Sequence, residues 1–180
     1  MAVVGCSGSG KTTLGTALAE LLSGPYIELD GIFHQPGWTP LGDEEFQNRV
    51  RQATDAPTWV VDGNYKAVLD IVWERADTVI WFDLPFTTVM SRTIRRTIRR
   101  TIRRTELWNG NREPWSNLWS LNPKKSIIAW SATNYRKYQK RYGAAAVDPR
   151  WSDLTFVRLT TVASVQEFLR DVTVHPPEKE

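Results

Sequence analysis

Gly5-Cys6-Ser7-Gly8-Ser9-Gly10-Lys11-Thr12 is the stretch on which the fold turns. It matches G-x-x-x-x-G-K-[ST], follows the apolar run Met1 to Val4, and precedes Thr13 to Leu22, where Leu14, Leu18, Leu21 and Leu22 recur at helical spacing. Strand, glycine-rich loop and helix in that order are the context a phosphate-binding loop requires. The glycines let the backbone curl until successive amides face phosphate oxygens, and the helix start adds the positive end of its dipole. The motif assigns ATP binding to Gly5, Ser7, Gly8, Ser9, Gly10, Lys11, Thr12 and Thr13. Lys11 is expected on the β and γ phosphates and the Thr12 hydroxyl on Mg²⁺. Cys6 fills a variable loop position, since no neighbour in sequence is an obvious base for a thiol nucleophile. With no N-K-x-D-like guanine reader in the chain, ATP is the expected nucleotide.

Outward from the loop, short apolar runs alternate with helical patterns. Tyr26 to Leu29 predicts a second strand and Gly31 to Leu41 a loop carrying Pro36, Gly37 and Pro40; Asp43 is expected to cap a helix that buries Phe46, Val50 and Ala53. Trp59 to Val61 and Thr78 to Phe82 are continuous apolar runs closed by Asp62 and Asp83, as in parallel strands buried on both faces, and Leu154 to Leu159 predicts a fifth strand. Helical patterns occupy Phe86 to about Leu107, Lys124 to about Arg141, and Ser164 to Val172. The alternation predicts an open α/β sheet, formed as one domain over 1–174, with a frayed tail at 175–180.

The 180 residues, 41% hydrophobic and 24% charged, suit one ordinary globular domain and exclude disordered and collagenous classes. A lone cysteine cannot close an intramolecular disulfide, no run is apolar enough for a membrane span, and the N-terminus lacks signal-peptide features, so a cytoplasmic protein with no membrane contact is expected. Nine tryptophans predict large aromatic anchors in the core or around a ligand. The net charge of +3 hides an asymmetry: residues 89–143 hold 14 Lys/Arg against Glu106 and Glu113 alone, so one region expects anions.

GCSGSGKTTL, IELDGIFHQPGWTP, WVVDGNY, ADTVIWFDLP and ELWNGNREPW together resemble the adenylate-kinase-related P-loop proteins called FlaR, or DNA topology modulation proteins, over nearly the whole chain to about Arg170. The resemblance implies a P-loop NTPase fold of the nucleoside monophosphate kinase type. It brings a five-stranded parallel sheet in the order 2-3-1-4-5, an acceptor-binding segment and a short helical lid, here at about 105–123. It also implies ATP and Mg²⁺ as nucleotide and metal. Where adenylate kinases continue the motif at Asp62 as D-G-x-P-R, this chain has Asp62-Gly63-Asn64-Tyr65, and the missing Pro and Arg count against AMP as acceptor.

Asp62, at the end of a buried strand beside the phosphate loop, is expected to hold a Mg²⁺-bound water or to orient the acceptor; capping the next turn is its structural alternative. Asp30, His34, Trp38 and Gly63 are the expected acceptor side. A carboxylate at Asp30 can accept a hydrogen bond from a substrate hydroxyl and act as general base, while local turn contacts for Asp30 and His34, and packing for Trp38, are equally open. Asp83 is assigned to packing.

Thr93 to Arg104 is three copies of T-I-R-R, preceded by Arg92. On a helix its seven arginines span an arc of roughly 140°, with Ile94, Ile98 and Ile102 on much of the other side, so the isoleucines are expected to pack and the arginines to face solvent or ligand. Like charges at helical spacing cost about 0.2 to 0.5 kcal/mol per pair, a cost that falls when an anion docks. Arg112 in the turn-rich lid, with Arg99 and Arg103 behind it, is the expected neutraliser of transferring phosphoryl charge. Seven arginines exceed what one ATP can engage, so either most of the helix at 92–104 is a solvated face or it also contacts nucleic-acid backbone. Two functions follow: an ATP-dependent phosphotransferase acting on a small acceptor such as a nucleotide or nucleoside, and a nucleic-acid-binding ATPase or ATP-gated switch. A nucleotide-binding module with weak hydrolysis is a third.

Overall fold

A computed structural model describes residues 1–174, so the expected frayed tail lies outside the described residues. The elements run β1 (Ala2–Gly5), α1 (Lys11–Leu22), β2 (Tyr26–Glu28), α2 (Leu29–Phe33), β3 (His34–Gln35), β4 (Thr39–Pro40), α3 (Asp43–Ala53), β5 (Val60–Asp62), α4 (Leu69–Trp73), β6 (Thr78–Phe82), α5 (Phe86–Ile102), α6 (Ile127–Ala145), β7 (Thr155–Leu159) and α7 (Val162–Val174). Five strands form one parallel sheet in the order β2-β5-β1-β6-β7. Counted along the chain these are the second, third, first, fourth and fifth sheet strands, the expected order. β3 and β4 are extra to it and pair with each other as a small antiparallel hairpin. The chain has an α/β fold of the P-loop NTPase type.

The apolar runs form the three central strands because such runs are stable only with both sheet faces covered. Val3, Val60, Val79 and Ile80 are fully buried there, joined by Leu18 from α1 and Phe46 and Val50 from α3. Register sets the site: Glu28 pairs with Asp62, Asp62 with Val3, and Gly5 with Phe82, so the carboxyl ends of β2, β5 and β1 bring Glu28, Asp62 and the loop after Gly5 together. Ligands of open α/β sheets bind beyond those ends. Trp59, Trp73, Trp81 and Trp151 are core anchors, while Trp115 and Trp119 are exposed. No helix of the described residues is long and apolar enough to cross a membrane.

Several boundaries differ from expectation. β2 stops at Glu28 and Asp30 lies in the first turn of α2, so the expected loop over 31–41 is a short helix and a hairpin. Gly42, not Asp43, caps α3; Asp43 adopts helical geometry and joins Glu44 and Glu45 in a first turn whose charge suits the helix dipole. α5 ends at Ile102, and α6 begins at Ile127 with the Ser126 hydroxyl accepting from the Ala129 N–H. Between them the chain makes single 3₁₀ turns at Trp108–Gly110 and Trp115–Leu118 and a bridge between Glu106 and Arg112, in place of a helical lid.

The T-I-R-R helix is rotated from its expected setting. Thr93, Thr97 and Thr101 are fully buried, whereas Ile94, Ile98 and Ile102 are 38%, 41% and 62% exposed. The cause is how closely α5 approaches the phosphate loop: a Cβ added to Gly8 would lie 2.2 Å from Thr93 Oγ1 and 2.9 Å from the Val89 carbonyl oxygen. Isoleucine has no room in such a contact. Only the short threonine fits, and the isoleucines turn outward.

Candidate active site

The loop 5–10 leaves β1 and curls onto the N-terminus of α1, with Gly8 at φ 81° and Gly10 at φ 109°. Both values fall where a side chain is strained. Asn64, just past β5, locks the start of the loop: its Oδ1 accepts from the Gly5 N–H at 3.0 Å, its Nδ2 donates to the Gly5 carbonyl at 2.7 Å, and Tyr142 donates to the same Oδ1. Gly63, expected on the acceptor side, packs against Leu29, and Asn64 beside it carries no sequence signal of its part in the loop. Thr13 is exposed on the first turn of α1. Cys6 is buried, with its thiol donating to the Ser131 carbonyl, and burial pushes its pKa up; it is a packing residue.

Beneath the loop three expected residues meet. The Lys11 ammonium donates to the Cys6 carbonyl at 3.3 Å and sits 3.8 Å from Asp62 Oδ1. The hydroxyls of Thr12 and Tyr26 both donate to Asp62 Oδ2, at 3.1 and 3.0 Å. Burial raises the Asp62 carboxyl above the usual range, opposed by the Lys11 charge. Hydroxyl and carboxylate oxygens side by side are the hard donors that suit Mg²⁺. No group of three or more His, Cys, Asp or Glu among the described residues could hold a metal.

α5 covers the loop from the other side. The Thr93 hydroxyl donates to the Ser7 carbonyl at 2.8 Å, Arg92 donates to the Ser9 carbonyl at 3.1 Å, and Arg96 Nη2 donates to Ser7 Oγ at 2.7 Å. Arg100 pairs with Glu113 at 3.3 Å. Burial, then the neighbouring Arg100 charge, lowers the Arg96 pKa. Two buried groups at the loop lack a partner, the Ser9 hydroxyl and Arg96 Nε. Both are ready for an anion's oxygens. Arg99 and Arg103 are exposed, and among the described residues their side chains form no hydrogen bond or ion pair. Arg112 is nearly half exposed and pairs with Glu106 at 3.6 Å. The arginines on the loop are thus Arg92 and Arg96, whose only signal in sequence is a place in a repeat that cannot distinguish its own faces.

The acceptor side gathers Asp30, His34 and Trp38 with three residues not expected there from sequence, Glu28, Tyr65 and Trp108. Tyr65 donates to Asp30 Oδ1 at 2.6 Å, and its Oη lies 3.3 Å from His34 Nε2. Trp108 Nε1 donates to Glu28 Oε2 at 2.6 Å. Burial raises Glu28 and Tyr65 and lowers His34. His34 is edge-on to Trp38, and the Trp108 ring lies parallel to it at 6.4 Å. Residues 108–112 form a strap zipped to the hairpin. Asn109 donates to the Gly31 and His34 carbonyls, Asn111 donates to the Gln35 carbonyl and accepts from the Trp38 N–H, and Trp38 Nε1 donates to the Arg112 carbonyl. Gly31 is required under the strap, because a Cβ there would lie 2.9 Å from Trp108 Cδ1. Asp83, buried and bound to Gln139 and Arg158, belongs to the packing as expected.

No protein-family model and no curated protein matches the chain. Solved structures that resemble it include a gluconokinase from Sinorhizobium meliloti 1021, 18% identical with a TM-score of 0.48 over 98% of this chain and 96% of that one. Another is an unliganded sugar kinase from Janibacter sp. HTCC2649, 19% identical with a TM-score of 0.46 over 96% of this chain and 91% of that one. At such identity and TM-score the likeness carries nothing about substrate or chemistry, and the fold assignment stands on the sheet order and the loop.

Proposed function

We propose that the protein is an ATP-dependent phosphotransferase of the adenylate-kinase-related, FlaR-like type, moving the γ-phosphoryl group of Mg-ATP to a hydroxyl of a small acceptor. The observation that supports it most is the meeting of Lys11, Thr12 and Asp62 at the carboxyl ends of β1 and β5, under a loop that Arg92 and Arg96 cross from α5. The loop and Lys11 hold the phosphates, and Thr12 and Asp62 hold Mg²⁺, Asp62 directly or through water. When bound, that ion neutralises charge shared between the β and γ phosphates. Arg96 and Arg92 replace Arg99, Arg103 and Arg112 as the groups that meet phosphoryl charge, with Ser9 adding a free hydroxyl.

In the transfer, the acceptor oxygen forms a bond to the γ phosphorus and the bond to the β,γ-bridging oxygen breaks, releasing ADP. The acceptor proton passes to Asp30. Tyr65 fixes Asp30 Oδ1, and among the described residues Oδ2 takes no hydrogen bond, leaving it for the acceptor hydroxyl. The strap at 108–112, within the lid at about 105–123, closes over the acceptor and excludes water. Label transfer from γ-labelled ATP into candidate acceptors, with Lys11→Ala as the blank, tests the reading. Labelled product lost in the variant supports it, and release of free phosphate alone defeats it. Arg95, Arg99, Arg103 and Arg104 remain outward-facing, so DNA binding that weakens steeply with salt would instead favour the nucleic-acid-gated ATPase.

A further inference from the structure

The charges of the cleft are sorted by side. Lys11, Arg92 and Arg96 lie against the phosphate loop, where the donor's phosphates belong. The opposite wall holds Glu28 and Asp30, with Asp62 at the seam; each of these carboxylates lies close enough to another for their charges to interact. The other titratable groups on the wall are His34, whose pKa burial lowers, and the phenols of Tyr26 and Tyr65, whose pKa values burial raises; Tyr26 donates to Asp62 Oδ2, and the charges of Arg96 and Arg100 reach the wall from α5. From Tyr26 to Trp73 the chain carries three cations, Arg49, Arg51 and Lys66, all on the exposed surface. Arg49 is bound to Glu45 and Arg51 to Asn48. From the strap side, Arg100 is held by Glu113 and Arg112 by Glu106.

We infer that the acceptor is a hydroxyl compound carrying no negative charge, either a neutral polyol or nucleoside or a cationic amino sugar, held by Glu28 and Asp30 among the rings of Phe33, Trp38, Tyr65 and Trp108. This rests on the phosphotransferase reading and narrows it: a nucleoside monophosphate or a sugar acid would bring its anion against a carboxylate wall. Carboxylates accept hydrogen bonds from hydroxyls and ammonium groups and offer none to an anion. Trp38, edge-on to His34 and Trp108, and Phe33, tilted against Tyr65, supply apolar ring surface for a sugar or base. Trp108 already models the interaction, since its indole N–H, an uncharged donor on a flat ring, occupies Glu28. His34 Nδ1, buried with no partner, adds one more polar contact on the same wall.

Matched compounds test the inference with the full-length protein: glucosamine, glucose and gluconate as one set, adenosine and AMP as another. Calorimetric binding is measured in the presence of a non-hydrolysable ATP analogue, and label transfer from γ-labelled ATP is measured separately. The uncharged or cationic member of a set is expected to bind at least about tenfold more tightly than its anionic partner. Asp30→Asn and Glu28→Gln are expected to shrink that ratio about tenfold, with binding of the ATP analogue as the folding control. Preferred binding or labelling of gluconate or AMP overturns the acceptor class and leaves the kinase reading standing. Preferred binding of an uncharged or cationic compound without label transfer supports the class while defeating the kinase reading. Failure of every uncharged and cationic compound to bind overturns the class.

Discussion

Arg96→Gln separates a residue kept for stability from one kept for chemistry. In the protein without nucleotide, the Arg96 guanidinium is a cost: it is largely buried, its Nε has no partner among the described residues, and the strongest charge acting on it is the repulsion of Arg100. A buried unsatisfied donor costs about 1 to 3 kcal/mol. Glutamine keeps part of the stem and a donor for Ser7 while removing the charge. At about 2 to 4 °C per kcal/mol for a chain of this size, the variant's Tm is expected to stay level or rise by a few degrees. With ATP and acceptor bound the sign reverses, because the lost group is a preorganised donor aimed at developing phosphoryl charge. Loss of one such donor costs about 10²- to 10³-fold in kcat. Thermal melts with and without Mg²⁺ and the ATP analogue, set beside label-transfer rates, read both effects, and the nucleotide-induced Tm increase should shrink in the variant. A Tm lowered by several degrees with kcat retained would refute the reasoning, since it would make Arg96 a packing residue.

Other expectations use the same site. Lys11→Ala leaves the Asp62 carboxylate buried without its cation, so Tm should fall as well as turnover; Lys11→Ala/Asp62→Asn should recover Tm and not turnover, as a double-mutant melt would show. Asp62→Asn alone has a pH signature. Burial raises the carboxyl in the folded protein, so between the ordinary value near 3.9 and that raised value the folded state binds more protons, and wild-type stability falls as pH rises through the window. The variant should therefore match or exceed wild-type Tm at pH 7, with the difference vanishing below about pH 4, while losing activity. Gly31→Ala pushes a methyl against Trp108 and should release the strap, which limited proteolysis would detect as faster cleavage within 105–123, with acceptor KM rising about tenfold. Gly8→Ala should weaken ATP-analogue binding by a similar factor or more, because its Cβ would displace Thr93 and the loop together; calorimetry checks it.

What the sequence makes legible here are features set by short-range rules. The loop at 5–12 needs glycine at its φ-positive positions and a helix beginning at Lys11, and both are visible as residues. Val60-Val61-Asp62 is apolar because β5 is covered on both faces, and its polar last residue lies where the strand emerges beside the loop. Residues whose roles depend on distant partners are not visible in that way. Asn64 matters because the chain returns 59 residues later to Gly5, and Tyr65 because α2 presents Asp30 to it. Trp108 meets Glu28 across 80 residues. ELWNGNREPW is one of the stretches that carry the FlaR resemblance, and its turn-rich character directs attention to Arg112, while the side chains that fasten the strap are Trp108, Asn109 and Asn111.

The T-I-R-R repeat shows why the arginines that lie on the loop, Arg92 and Arg96, could not be found by period alone. Each of its three residue types recurs every fourth position and drifts by the same angle per copy, so threonine, isoleucine and arginine trace parallel spirals and none is marked as the buried one. Hydropathy then selects isoleucine, and the structure pays against it: three isoleucines are exposed, and the buried hydroxyls of Thr97 and Thr101 have no partner. Those losses are accepted where the helix must touch a loop whose own residue at the contact is glycine. A helix seated on threonine comes within reach of Ser7 and Ser9, and the residue before each threonine then flanks the contact. That places Arg92 and Arg96 on the loop and Arg100 on Glu113. The helix is thus seated where it touches the loop, through Arg92, Thr93 and Arg96, and its isoleucines are left outside.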